Sequence, residues 1–101
     1  MMLKKLTAMP YAQAHVEIDN NGNINLFSYV TRVVELTADG WLTIYGLYSM
    51  TTRRHISAFL REYAIWPNGE HGTYQEFKNL YDDGYAINLM TGEVRKVSEE
   101  E

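Results

Sequence analysis

The chain has no cysteine at all. Disulfide scaffolds, zinc ribbons and thiol nucleophiles are therefore excluded, since each needs the sulfur. Proline is scarce, with two residues, so Pro-rich extended linkers are absent. No apolar run approaches the roughly 20 residues of a membrane-spanning helix. The opening MMLKKLTAMPYAQ carries two lysines but no apolar stretch behind them, which argues against a secretory signal. A cytoplasmic location is the expectation that remains. Basic excess is missing too: nine Lys and Arg stand against 13 Asp and Glu, for a net charge of −4. Duplex binding runs on many phosphate contacts from cations, so this balance argues against a duplex partner and leaves single strands open.

Glycine-rich phosphate cradles of the G-x-G-x-x-G or G-x-x-x-x-G-K type do not occur, and neither does the G-x-S-x-G nucleophile elbow. His15, His55 and His71 are scattered, and none has a second histidine within a helical turn. Metal chemistry wants ligands at short fixed spacing, so no metal and no cofactor is expected. The adjacent pair Asp82-Asp83 reads as the end of a helix rather than a cation site. With no catalytic constellation, no catalytic residue is assigned.

What is present is a chain of 101 residues, 46% apolar and 22% charged, enough for one domain over residues 1–101 with one core. Residues 1–10 and 98–101 are the candidate flexible ends. AHVEI at 14–18 alternates as a half-buried strand with Val16 and Ile18 inward. DNNGN then offers residues that tolerate positive φ in a turn. Residues 24–36 are rich in β-branched and aromatic side chains and read as one long strand. Apolar residues on both its faces suggest cover on both sides or a bulge near Ser28. After Ala38-Asp39-Gly40, WLTIYGLY reads as a third strand.

The period then changes to that of a helix. Ile56, Phe59, Leu60 and Tyr63 share one helical face. Ser49 or Thr51 is placed to cap its start, and an end near Ala64 precedes Pro67. Thr73-Tyr-Gln-Glu76 has the capping-box pattern for a second helix, with Tyr74, Phe77 and Tyr81 inward and Gly84 as its stop. Residues 85–89 and 94–97 read as a hairpin around Thr91-Gly92. The expected fold is α+β in the order β-β-β-α-α-β-β, with a three-stranded antiparallel meander, a C-terminal hairpin and two helices on one face.

One segment stands apart chemically. Ser49, Thr51, Thr52, Arg53, Arg54 and His55 fall at the start of the first helix. The helix dipole makes that end partially positive and favours acidic side chains there. Cations at this end, beside free amides and hydroxyls, form a candidate anion- or partner-binding site. Alternatively, the arginines pair with Glu62, Glu35 or the acidic residues 99–101, or point into water. Eight tyrosines and an acidic balance suit a protein-binding surface better than a duplex-binding one. A protein partner is therefore the first expectation. A single-stranded nucleic acid stacking on tyrosines, a phosphate ligand and a homodimer remain alternatives.

Residues 26–63 also resemble a group of short uncharacterised proteins encoded by bacteriophages and mobile elements of gut-dwelling Gram-positive bacteria. The resemblance rests on Ser28-Tyr29-Val30-Thr31, on Asp39-Gly40, and on Tyr48-Ser49-Met50-Thr51-Thr52-Arg53-Arg54-His55-Ile56. Residues after Pro67 lie outside it. It implies no activity. It implies a setting, the cytoplasm of a bacterial host, in which a small non-catalytic accessory protein binds a host factor or inhibits a defence enzyme.

Overall fold

The computed structural model describes residues 1–47 and 49–97. Tyr48 and the acidic residues 99–101 lie outside the described residues. In chain order the elements are β1 (Met2–Lys4), β2 (Ala14–Ile18), β3 (Ile24–Ser28), β4 (Thr31–Leu36) and β5 (Trp41–Ile44). Helices α1 (Met50–Tyr63) and α2 (Tyr74–Asp83) come next, followed by β6 (Tyr85–Asn88) and β7 (Val94–Lys96).

The expected three-stranded meander with a separate hairpin is overturned. All seven strands form one antiparallel sheet in the order β1-β2-β3-β4-β5-β6-β7, and both helices fall between β5 and β6. Two local differences account for the change. First, residues 24–36 are not one strand but a tight hairpin. Ser28 pairs with Thr31, so Tyr29 and Val30 alone make the turn. Ser28-Tyr29-Val30-Thr31 has no Gly, Asn or Pro to announce it; Tyr29 instead adopts φ 57°, a left-handed conformation that costs a residue with a Cβ. A register shift at Leu26/Phe27 adds a bulge on the β4 side. Second, β5 pairs with β6 through Trp41↔Asn88 and Leu42↔Ile87. This welds the C-terminal hairpin onto the rest. The first strand, β1, was also not anticipated, because all three of its residues are exposed and give no burial pattern.

The pairing Val16↔Leu26↔Val34↔Ile44 puts one apolar row on the face that meets the helices. Helix α1 answers with Ile56, Phe59 and Leu60, all fully buried, each contributing about 1.5–3 kcal/mol of burial. Its start is capped by Ser49, whose hydroxyl accepts from the Thr52 amide, and its end by Ala64, whose N–H reaches the Leu60 carbonyl. Helix α2 starts with the full capping box of Thr73 and Glu76 and ends at Gly84 in the left-handed region. Between the helices, the Gly72 amide donates to the Ala64 carbonyl, and a Cβ on Gly72 would lie 2.4 Å from the Phe77 ring. Only glycine lets the inter-helix loop run that close. The opposite face of the sheet carries no helix.

Candidate functional site

The six residues singled out at the start of α1 divide into two groups. Thr52 and His55 turn inward and are buried, whereas Ser49, Thr51, Arg53 and Arg54 stay exposed. The inward pair meets a residue that the sequence reading did not enlist, Ser28 at the end of β3. Ser28 Oγ lies 2.9 Å from His55 Nδ1 and 3.1 Å from Thr52 Oγ1. Ser49 Oγ donates to Thr52 Oγ1 at 3.3 Å and accepts from the Thr52 amide at 3.2 Å. A chain of hydroxyls thus runs from the helix cap to the buried imidazole. It pins the first turn of α1 to the last residue of β3. Only the first two residues of the Ser28-Tyr29-Val30-Thr31 motif hinted at this, and nothing in its spacing tied it to position 55.

Burial disfavours the imidazolium, so the His55 pKa is lowered from 6.5. A serine beside a histidine invites a nucleophilic reading. Here the hydroxyl is 3% and the imidazole 1% exposed, so a substrate could reach neither without local opening. The cluster's evident work is positioning. Among the described residues, no group of three or more His, Asp or Glu side chains converges as a metal site would require. Nor, among the described residues, is any helix long and apolar enough to cross a membrane.

The outward group presents a different picture. Two of the carboxylates expected for Arg53 and Arg54, Glu62 and Glu35, are engaged elsewhere; the acidic residues 99–101 lie outside the described residues. Glu62 accepts from the Thr7 amide at 3.0 Å and from the Thr7 hydroxyl at 2.8 Å. Glu35 pairs with Arg32 and accepts from the Tyr45 hydroxyl. The first turn of α1 contains no acidic residue, and among the described residues neither arginine has a carboxylate within ion-pair distance. The phosphate cradle expected at this helix start is partly filled, because the Ser49 hydroxyl already occupies the Thr52 amide.

Beside these arginines the fold exposes apolar surface. The hairpin tip carries Tyr29 and Val30, the latter 91% exposed, and the first residue of α1, Met50, is exposed as well. The Tyr29 ring leans on His55 with centroids 6.0 Å apart, and its amide donates to the Gln13 carbonyl. The 5–13 loop, which carries the exposed Tyr11, is therefore drawn to the same end.

A family model matches residues 1–79, covering the hairpin tip, all of α1 and the start of α2, and its description reads family of unknown function, DUF8033. The chain belongs to this family. The DUF8033 match extends well beyond residues 26–63, on which the resemblance in sequence rested, and takes in β1, β2 and the region after Pro67. No curated protein and no solved structure matches the chain.

Proposed function

We propose that this DUF8033 protein is a non-catalytic binding domain that grips a protein partner with the end of the fold where α1 begins. The observation that carries the reading is the hairpin tip. Tyr29 is held at a strained positive φ, and beside it an exposed valine and methionine border two arginines that have no carboxylate partner among the described residues. Strain of this kind persists where the surroundings over-determine it, and it clusters at ligand clamps. An exposed tyrosine beside arginines has the residue types in which protein-binding hot spots are enriched. Ser28, Thr52 and His55 serve the site by fixing the helix start against the tip.

The phage or mobile-element setting belongs to the same proposal and is supported by the motifs at 28–31, 39–40 and 48–56. In that setting the protein acts in the host cytoplasm as an accessory factor, with a host protein or defence enzyme as its target. A single-stranded nucleic acid or phosphate ligand at the helix start is less well supported, since Ser49 takes up the amide that such a ligand would need.

Affinity capture from a bacterial host lysate, with Arg53→Glu/Arg54→Glu as the control bait, tests the reading. The double variant should lose the captured protein. Its thermal midpoint should hold or rise slightly, because acidic residues at a helix start gain about 0.3–1 kcal/mol from the dipole. A double variant that captures the same partner as well as the parent chain would overturn the assignment of the site.

A further inference from the structure

The helix-free face of the sheet holds a second feature, separate from the α1 end. Strand alternation brings Trp41, Thr43 and Tyr45 to this face from β5 and the residue after it. Arg32 and Glu35 join them from β4, Ala86 from β6 and Arg95 from β7. The register Glu35↔Thr43 and Ala86↔Arg95 sets four of these residues in one row across four strands. With strands about 4.8 Å apart, the row is about 14 Å long. Its middle is low because Thr43 and Ala86 are small, and its ends are high because they carry Glu35, with Arg32 beside it, and Arg95. The result is a groove of about 420 Å³ lined by Arg32, Glu35, Thr43, Tyr45, Ala86, Arg95, Lys96 and Val97.

Charge in the groove runs against the rest of the chain. Two guanidiniums, those of Arg32 and Arg95, face the one carboxylate of Glu35, while the whole chain carries −4. Glu35 is already occupied by the Tyr45 hydroxyl at 2.9 Å and by Arg32 at 3.8 Å. Both guanidiniums are held in place by rings. Arg95 sits 4.0 Å above the centroid of Trp41, and Arg32 sits 4.7 Å above that of Tyr45. A ring fixes a guanidinium without neutralising it; Arg32 is also held by Asn25 and Glu35, whereas the Arg95 fork stays available and loses little freedom when an anion arrives. Among the described residues, Arg95 and Lys96 have no carboxylate within ion-pair distance.

We infer that this groove binds a nucleoside monophosphate. The phosphate would lie on the Arg95 guanidinium, where charge-assisted and bidentate bonds are available. The flat base would lie over the small floor of Thr43 and Ala86 towards Tyr45, where an aromatic edge can stack it. The volume falls in the lower part of the range of small-ligand sites, which run from about 300 to 1,000 Å³. That suits one nucleotide better than a continuous strand, and the flat floor suits a base better than an acidic peptide.

The test is calorimetric titration of the full chain with AMP and UMP, with adenosine, inorganic phosphate, a short oligouridine and a poly-glutamate peptide as comparisons. The mononucleotides should bind and adenosine should not. Arg95→Gln should weaken binding about tenfold, as expected for loss of one charge-assisted pair. Ala86→Leu, which fills the floor without touching a cation, should abolish it, and Arg53→Gln at the other end should change nothing. Far-ultraviolet circular dichroism establishes that each variant is folded. The inference is overturned if no mononucleotide binds at millimolar concentration, or if Arg95→Gln and Ala86→Leu both bind like the parent. It is equally overturned if phosphate alone binds as well as AMP, if the peptide binds and the nucleotides do not, or if oligouridine binds more than about tenfold tighter than UMP with a steep salt dependence, the mark of an extended strand interface.

Discussion

Acidification should weaken this protein from a pH well above that at which its carboxylates titrate, and His55 is the reason. The imidazole is 1% exposed and its pKa is lowered from 6.5 by burial. The unfolded chain, where the ring is hydrated, therefore binds a proton at His55 over a range in which the folded chain does not. Stability from this group is fully present above about pH 6.5. It declines as the pH falls below that value, and stops declining once the pH is below the folded-state pKa and both forms are protonated. Within the window the slope has an upper bound of about 1.4 kcal/mol per pH unit, the value for one whole proton. Against a total stability of about 5–15 kcal/mol, that is easily measured. The hydrogen bond to Ser28 is not what is lost. A protonated Nδ1 can donate to Ser28 Oγ, which can then donate to Thr52 Oγ1; the cost is that of a charge removed from water. Asp19 shifts in the same sense but in a separate, more acidic window. Hydrogen bonds, led by the Asn23 amide, lower its pKa from 3.8, so its contribution fades only as the pH falls through the range below that value. The assay is urea unfolding at several pH values between 7.5 and 5.0, for the parent chain and for His55→Asn. Asparagine can keep a hydrogen bond to Ser28 but does not titrate. The variant starts less stable, and the informative quantity is the slope, in which contributions from the other histidines cancel. Equal slopes for the two proteins below pH 6.5 would refute the claim that His55 is buried in its neutral form.

Two further substitutions follow from the backbone. Tyr29→Gly should relieve the strain of a positive φ and raise stability by up to about 1 kcal/mol, less the ring's packing on His55, while partner capture falls; a loss of more than about 1 kcal/mol in chemical denaturation would mean that the ring's contacts outweigh the strain. Gly72→Ala should cost about 1–3 kcal/mol because the new Cβ meets the Phe77 ring while Ala64 fixes the loop from behind; an unchanged denaturation midpoint would show that the loop yields more readily than its hydrogen bond suggests.

Much of the helical half was legible because its signals are local. Ser49, Thr73, Glu76 and Gly84 act within one turn of the backbone groups they satisfy, and the stripe Ile56, Phe59, Leu60 repeats at a fixed interval. The sheet was less legible because its decisive facts are either disguised or distant. The turn at Tyr29-Val30 hides inside a run whose composition favours strand, and its strained φ is imposed by Ser28, Gln13 and His55 from outside. The Leu42↔Ile87 pairing is separated in sequence by both helices, and no residue on either strand names its neighbour. The candidate site shows the same division. Arg53 and Arg54 stood out by their charge at the wrong end of a dipole. Thr52 and His55 looked like their companions until the helix's angular spacing turned them to the core. The groove on the open face drew on residues 32 to 97, and the alternation of Trp41, Thr43 and Tyr45 was its only sequence trace.

Because the strands lie in chain order, the first and last strands, β1 and β7, are the outer edges of the sheet. Fraying can therefore start at Met2–Lys4 or at Val94–Lys96 and remove a strand without opening the centre. Each edge is only three residues long and carries lysine, which discourages a neighbouring chain from adding to it. The weld between Trp41–Ile44 and Tyr85–Asn88 behaves oppositely. It closes the longest loop in the molecule, must wait for both helices to pack, and once broken releases the C-terminal hairpin as a unit. Hydrogen exchange in this protein should accordingly be graded from the two outer strands inward, with a cooperative boundary at β5 and β6 rather than a uniform loss across the sheet.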